Sequence, residues 1–283
     1  MTQDASQRHR AASTASANDS NLKTYNIKNK VILTQEHLNH LNEQLADLSP
    51  QEIIEWSLLN FPDVFQTTAF GLTGLVTVDI LSKLPKGDSV QLIFLDTLHH
   101  FPQTLDLVKK VQEKYPNNKV NIFKPRGVET EEEFSQKYGE MLWETDEERY
   151  DYLAKVEPAQ RAYKELDVVA VFTGRRRSQG GARNSLQILE IDEASDIIKI
   201  NPMANWSFNQ VLSYIKENNV PYNELLDLGY RSVGDYHSTV PVAEGEDERA
   251  GRWKGKTKTE CGIHTASKYA KFLTHGQEAA ATL

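Results

Sequence analysis

The sequence predicts an α/β protein: a parallel sheet with helices on both faces, preceded by N-terminal helices and followed by a mobile C-terminal tail. Three observations predict it. Between residues 64 and 125 the segments alternate strand, helix, strand, helix, strand, the order in which right-handed crossovers join parallel strands. The run VQLIFLDT (90–97) reads as a buried strand ending in polar residues. Composition is that of a globular chain, 39% hydrophobic and 25% charged over 283 residues.

Each element has its own signal. In TQEHLNHLNEQLAD (34–47) Thr34 stands at a helix cap and Leu38, Leu41 and Leu45 make an apolar face. In SPQEIIEWSLLNFP (49–62) Ser49 caps and Pro50 takes the first helical position. VFQTTAFGLTG (64–74) is a strand running into a glycine turn, and LVTVDILSKL is helical. After the strand at 90–97 come a helix at 101–115 with Pro102 near its start and a strand at 119–125. Residues 130–154 are acidic and helical. A helix at 159–167 leads into the strand VVAVFTG (168–174), LEIDEASDIIKINPM suggests a hairpin, and Ser207 caps an amphipathic helix at 207–220. From residue 234 periodicity fades into a charged, glycine-bearing stretch.

Composition excludes several classes of function. The formal net charge of −8 argues against general nucleic-acid binding, though not against one basic pocket. No run of 18 apolar residues is present, so no membrane helix is expected. The first 25 residues lack the apolar core of a secretory signal and read as a disordered tail, with a mitochondrial transit peptide as the weaker alternative. The single cysteine, Cys261, excludes an intrachain disulfide, a cysteine-rich zinc site and four-thiolate iron ligation, and fits a reducing, cytoplasmic setting. No metal site is expected.

Four stretches carry candidate chemistry. TTAFGLTG (67–74) joins strand to helix through small residues, so backbone N–H groups and the hydroxyls of Thr67, Thr68 and Thr73 can meet an anion there. It lacks the G-K-[ST] of a Walker loop, and an ordinary turn is the alternative. Asp96 and Thr97 stand at a strand's C-terminal end, where open α/β sheets bind ligands. His99 or His100 beside them is a base, a metal ligand or a plain surface or loop histidine, and no further histidine or cysteine nearby completes a metal-ligand pattern. FTGRRRSQGGARNS places Arg175, Arg176, Arg177 and Arg183 in one glycine-rich loop. Guanidinium forks suit phosphate or sulfate oxygens, although an interface or solvated loop would use them too. Cys261 lies among Lys256, Lys258 and His264. Nearby positive charge favours thiolate, which makes it a candidate nucleophile, with an inert buried cysteine as the alternative.

Taken in order, these stretches resemble the assimilatory phosphoadenylyl-sulfate (PAPS) reductase family, fungal type, from about residue 45 to residue 275. The resemblance is carried by TTAFGLTG as a modified PP-loop, Asp96 to Thr104 as D-T-x-x-x-F-P-x-T, and Lys155 to Pro158 as K-V-x-P. It is completed by GRRRSQGGAR, by Asn201, Pro202 and Trp206, by GYRSVGDYHST (229–239) and by ECGIH (260–264). It implies an adenine nucleotide alpha hydrolase-like (PP-loop) fold, with a nucleotide-binding domain over 26–235 and a tail over 236–283 that carries the catalytic cysteine. It also implies that PAPS binds near Thr67, Thr68, Phe70, Gly71, Thr73, Asp96, Thr97, Lys155 and the loop arginines, with Gln179, His237, Arg249 and Arg252 completing the set. Cys261 would take the sulfonyl group with His264 near it, and reduced thioredoxin would release sulfite from a homodimeric enzyme.

Relatives that use adenylyl sulfate carry paired cysteines and a [4Fe–4S] cluster. This chain reads YDYLAKV at the first of those places, so no cluster is expected and the 3′-phosphorylated nucleotide is the expected substrate. The loop TTAFGLTG is poorer in serine than the family's usual version. Two other readings stay open. An ATP-using PP-loop adenylyltransferase would release pyrophosphate, and a non-catalytic adenine-nucleotide binder would yield no sulfite.

Overall fold

The computed structural model describes residues 23–264, 266–269 and 272. Its centre is a six-stranded sheet in the order β5-β4-β3-β6-β8-β7. The strands are β3 (Val64–Thr68), β4 (Gln91–Leu95), β5 (Val120–Phe123), β6 (Ala170–Phe172), β7 (Leu189–Asp192) and β8 (Ile197–Ile200). All neighbours are parallel except β7 and β8, which form the expected antiparallel hairpin.

Successive side chains on these strands enter opposite layers. Leu92, Phe94, Phe172 and Ile200 join a large core with helices α1 (Gln35–Leu45), α2 (Pro50–Asn60), α3 (Leu72–Leu81), α4 (Pro102–Lys114) and α9 (Phe208–Glu217). Phe65, Ile93, Leu95 and Val171 join a second core under α8 (Glu157–Glu165). Strand residues that are apolar on both sides therefore follow from a sheet covered on both faces. The helix starts are set by the caps: Thr34 accepts from the His37 N–H, and Ser49 with Glu52, and Ser207 with Gln210, form reciprocal capping boxes.

The chain leaves β3 in one direction, through α3, β4 and α4 to β5. It then returns through α5 (Glu131–Tyr138), α6 (Leu142–Thr145), α7 (Glu147–Asp151) and α8 to lay β6 on the other side of β3. The strand order reverses there, opening a crevice at the C-terminal ends of β3 and β6. Between α7 and α8 the helix loosens into a π-helical stretch, Tyr152–Val156, a form common at functional sites.

Described residues in both segments expected to be tails take part in the fold. A hairpin of β1 (Thr24–Ile27) and β2 (Val31–Thr34) precedes α1, so Thr24 and Tyr25 are strand residues inside the segment expected to be disordered. Residues 1–22 of that segment lie outside the described residues. The expectation of a tail from residue 236 divides in the same way. Residues 236–264 have no long regular element, but they pack: Trp253 is 4% exposed and Thr239 bridges Arg252. Most residues beyond position 264 lie outside the described residues.

One buried carboxylate joins three helices. Asp79 of α3 accepts from Tyr115 Oη (2.9 Å) at the end of α4, from Tyr214 Oη (2.8 Å) of α9, and from Lys83 Nζ (2.6 Å). Asp79→Ala is expected to cost about 3 kcal/mol of unfolding free energy, because it strands the two phenols of hydrogen bonds to a charged group. Urea titration checks it; a cost under about 1 kcal/mol would mean that the phenols find other partners.

Candidate active site

The crevice floor is backbone. After β3 the chain turns at Phe70, whose φ of 54° is left-handed and whose ring is buried against Phe94. The turn is held by the Phe70 N–H donating to Thr68 Oγ1 (2.9 Å). Gly71 then starts α3 with no described side chain capping it, so first-turn N–H groups point into the crevice at the positive end of the helix. Gly74 must lack a side chain, since a Cβ there would sit 2.7 Å from Thr68 Oγ1. Gly174, after β6, is tight but less so: its Cβ would lie 3.2 Å from the Gly74 nitrogen. Thr67 Oγ1 is 3.0 Å from Tyr163 Oη, and Thr73 Oγ1 accepts from Arg176 Nε (2.9 Å).

The arginine loop stands over this floor, and its members differ. Arg175 donates to Glu190 (2.5 Å) and Arg176 to both oxygens of Glu248 (2.6 and 2.7 Å). Arg183 clasps Glu260 through Nε and Nη2 (2.5 and 2.7 Å), and its Nη1 donates to Gln179. All three line the cleft. Arg177 does not. Its guanidinium turns away to the Leu186 carbonyl and Asn205, so here it braces the loop and stands apart from the other expected anion ligands. Asp96 stands apart likewise: its carboxylate accepts from the Leu98 N–H and caps the loop outside the cleft, while Thr97 lines it and donates to Asp235 (2.7 Å).

The segment after residue 245 forms the opposite wall. Arg249 donates to the Thr259 carbonyl (2.7 Å). Burial first, then Arg183, lower its pKa to about 10, which leaves it charged at neutral pH. Arg252 lies over Trp253, 4.5 Å from the ring centroid, and directly on Gly234, where a Cβ would meet its Nη2 at 2.3 Å. Its Nε has no hydrogen-bond partner among the described residues. Cys261 is half-buried and lines the cleft with His264. Burial, then Arg175 and Lys199, push His264 well below the usual histidine range, so its imidazole is neutral.

Lys155, from the π-helical stretch, is 6% exposed and reaches the cleft between Asp235 (2.8 Å) and Asp151 (3.0 Å). Burial opposes its charge, but Asp235 and Asp151 outweigh it and hold the ammonium well above the ordinary lysine value. Asp235, with Thr97 and Tyr150 as donors, is a site residue that no sequence motif singles out. Its one signal is an acid embedded in DYHST, a segment legible only as a whole. Glu248 also escapes sequence reasoning, because a glutamate in a charged stretch looks solvated. His237 lies behind the cleft and not in it, stacked on Trp143 (centroids 4.4 Å apart) with Nε2 3.1 Å from Tyr150 Oη. His99 is buried in the same aromatic group, and His100 lines the cleft.

A glycine floor at a strand-order reversal, an open helix N-terminus and a ring of arginines define an α/β protein with a cleft suited to anions. The chain belongs to the PAPS reductase family: the family model for the phosphoadenosine phosphosulfate reductase domain matches residues 63–241. It is 65% identical over 257 residues to the phosphoadenosine phosphosulfate reductase of Saccharomyces cerevisiae, covering 89% of this chain and 98% of that one. Among solved structures it is similar to a PAPS reductase from Candida auris in a phosphate complex (TM-score 0.69, 59% identity, 75% of this chain and 100% of that one). The FMN adenylyltransferase of Candida glabrata shares the fold alone (TM-score 0.53, 15% identity, 83% of this chain and 81% of that one).

The environment of His237 gives a pH test. Burial lowers its pKa to about 3, with Asp235 only partly opposing, against ~6.5 for an exposed histidine. Below that value the unfolded chain binds a proton the native state refuses, so this contribution to stability is intact above about pH 6.5 and is lost as pH falls. His237→Phe, which keeps a ring on Trp143, is expected to flatten the decline in unfolding free energy between about pH 6.5 and pH 4. Equal declines for variant and wild type in urea titrations would contradict it.

Proposed function

We propose that this chain reduces PAPS to sulfite and adenosine 3′,5′-bisphosphate, using reduced thioredoxin, with Cys261 as the nucleophile. The observation that carries the reading is the placement of the chain's sole thiol in the arginine-lined cleft, next to Glu260, which Arg183 clasps. The Cys261 thiolate attacks the sulfonyl sulfur, the bond from that sulfur to the bridging oxygen breaks, and the bisphosphate leaves with the electron pair. The product on the enzyme is a cysteine S-sulfonate. A thioredoxin thiolate then attacks Cys261 Sγ and sulfite departs. The second thioredoxin thiol resolves the mixed disulfide, so that two electrons have passed from the dithiol to sulfur.

The leaving group is a good one, so the protein's tasks are to position the partners and stabilise charge. The N–H groups at the start of α3 and the cationic walls suit the phosphates; Lys155 and Arg252 suit charge building near the sulfur. Because Arg176 and Arg183 already hold carboxylates, an arriving anion shares or displaces Glu248 and Glu260. With one cysteine in the whole chain, iron has no set of four thiolates, and the reading takes the enzyme as free of a resident cluster, cytoplasmic and homodimeric. An adenylyltransferase reading draws only on shared fold, which does not carry activity.

Purified protein with PAPS and reduced thioredoxin is expected to release sulfite. Cys261→Ser should abolish release yet retain bisphosphate binding, and mass spectrometry of the wild type with PAPS alone should find a sulfonate on Cys261. Normal sulfite output from the serine variant would sink the proposal.

The loop makes a second, sharper prediction. In calorimetric titration Arg176→Ala should weaken bisphosphate binding by about 1.5–3 kcal/mol. Arg177→Ala should bind nearly as wild type and lose stability instead. The reverse order would show that the loop's orientation changes when nucleotide binds. Substrate choice gives a third test: kcat/KM for PAPS should exceed that for adenylyl sulfate at least about tenfold, which takes only ~1.4 kcal/mol, and the protein should be colourless. Equal constants or stoichiometric iron would overturn that assignment.

A further inference from the structure

We propose that Asp151 is a positioning residue that docks the Cys261 segment against Lys155. The inference rests on the reading of Cys261 as the nucleophile for its kinetic consequence, but not for its geometry. Asp151 ends α7, touches the π-helical stretch, and is 1% exposed. Its Oδ1 accepts from Lys155 Nζ (3.0 Å), the ammonium that reaches the cleft. Its Oδ2 accepts from two groups of the C-terminal segment: Lys258 Nζ at 2.5 Å and Tyr269 Oη at 3.2 Å. These lie on either side of Cys261 in the sequence. One carboxylate thus faces the wall of the cleft with one oxygen and the segment that carries the thiol with the other.

Packing supports the same contact. Gly262 sits flush on the π-helical stretch, where a Cβ would lie 3.0 Å from Val156 Cγ2 and 3.1 Å from Tyr269 Oη. Burial opposes ionisation of Asp151, and Lys155 and Lys258 together overcome it, holding the carboxyl below the ordinary carboxylate range. Asp235 remains on Lys155 whatever the segment does. When the segment lifts to present Cys261 to a reductant, Asp151 loses Lys258 and Tyr269 and keeps Lys155 alone, at a desolvation cost that pulls the segment back. Lys256, two residues away, pairs at the surface with a different carboxylate, Glu147 (3.1 Å), which Lys258 also approaches at 3.8 Å. It also donates to the Trp143 carbonyl (3.2 Å).

The test uses the full chain and two readouts. One is the rate of Cys261 alkylation by iodoacetamide without nucleotide; the other is sulfite turnover. Lys258→Met and Asp151→Asn are each expected to speed alkylation about fivefold and to lower kcat about tenfold with KM for PAPS within about twofold. Losing a cation near a thiol slows alkylation by lowering its thiolate fraction, so acceleration for Lys258→Met reports exposure. The double variant should be no worse than Asp151→Asn alone, since that variant already removes the Lys258 contact, and Lys256→Met should match wild type. Lys258→Met changes a partly exposed side chain, so it keeps the test alive if Asp151→Asn folds poorly. Unchanged alkylation in Lys258→Met, multiplicative effects in the double variant, or an equal effect from Lys256→Met would overturn the proposal. Faster alkylation with no sulfite from the wild type would leave the docking role standing and remove the proposed function instead.

Discussion

Positive charge crowded into one cleft is the constraint on which this structure depends. Arg175, Arg176, Arg183, Arg249, Arg252 and Lys155 line one cleft, and unpaired cations so close together would repel one another and pay heavily for lost water. Glu190, Glu248, Glu260, Asp235 and Asp151 answer them. Glu248 and Glu260 come from the irregular C-terminal segment, so the charge that suits the cleft to anions also folds that segment over it. Shape and electrostatics are here one arrangement.

The sheet explains why the cleft is where it is. With β3 at the centre and the chain leaving it in both directions, two strand-to-loop exits lie side by side. One supplies N–H groups at a helix start and the other supplies arginines. Lys155 arrives from a third direction on the π-helical stretch, whose departure from regular α-geometry sets it between two carboxylates. The cleft is assembled from rigid exits, which is how a loosely structured segment can be held in register with it.

Period and punctuation account for the part of the fold that is legible in the sequence. Caps at Thr34, Ser49 and Ser207 and the apolar strands can be read because they obey local rules. The β1–β2 hairpin cannot, since its turn uses Lys28 and Asn29 at positive φ and lysine is not a turn signal. Loop side chains are the other blind spot. Nothing in G-R-R-R says that Arg175 and Arg176 face inward while Arg177 faces Asn205. Asp96 and Asp235 are both acids near a histidine, yet one caps a turn and the other holds a lysine. Motif resemblance locates the cleft; only the fold says which member of each motif looks into it.

The touching turns at Gly74 and Gly174 bear on how such a cleft can change through descent. Its floor is made of peptide groups, and their polarity belongs to every residue alike, so replacing neighbouring side chains cannot erase it. Drift is free to recolour the walls, changing which anion fits, while the floor persists unaltered. The one vulnerable point is bulk: a methyl group at Gly74 would collide with Thr68, and at Gly174 it would crowd the opposite turn. Two absent side chains are therefore the part of the floor least tolerant of added bulk.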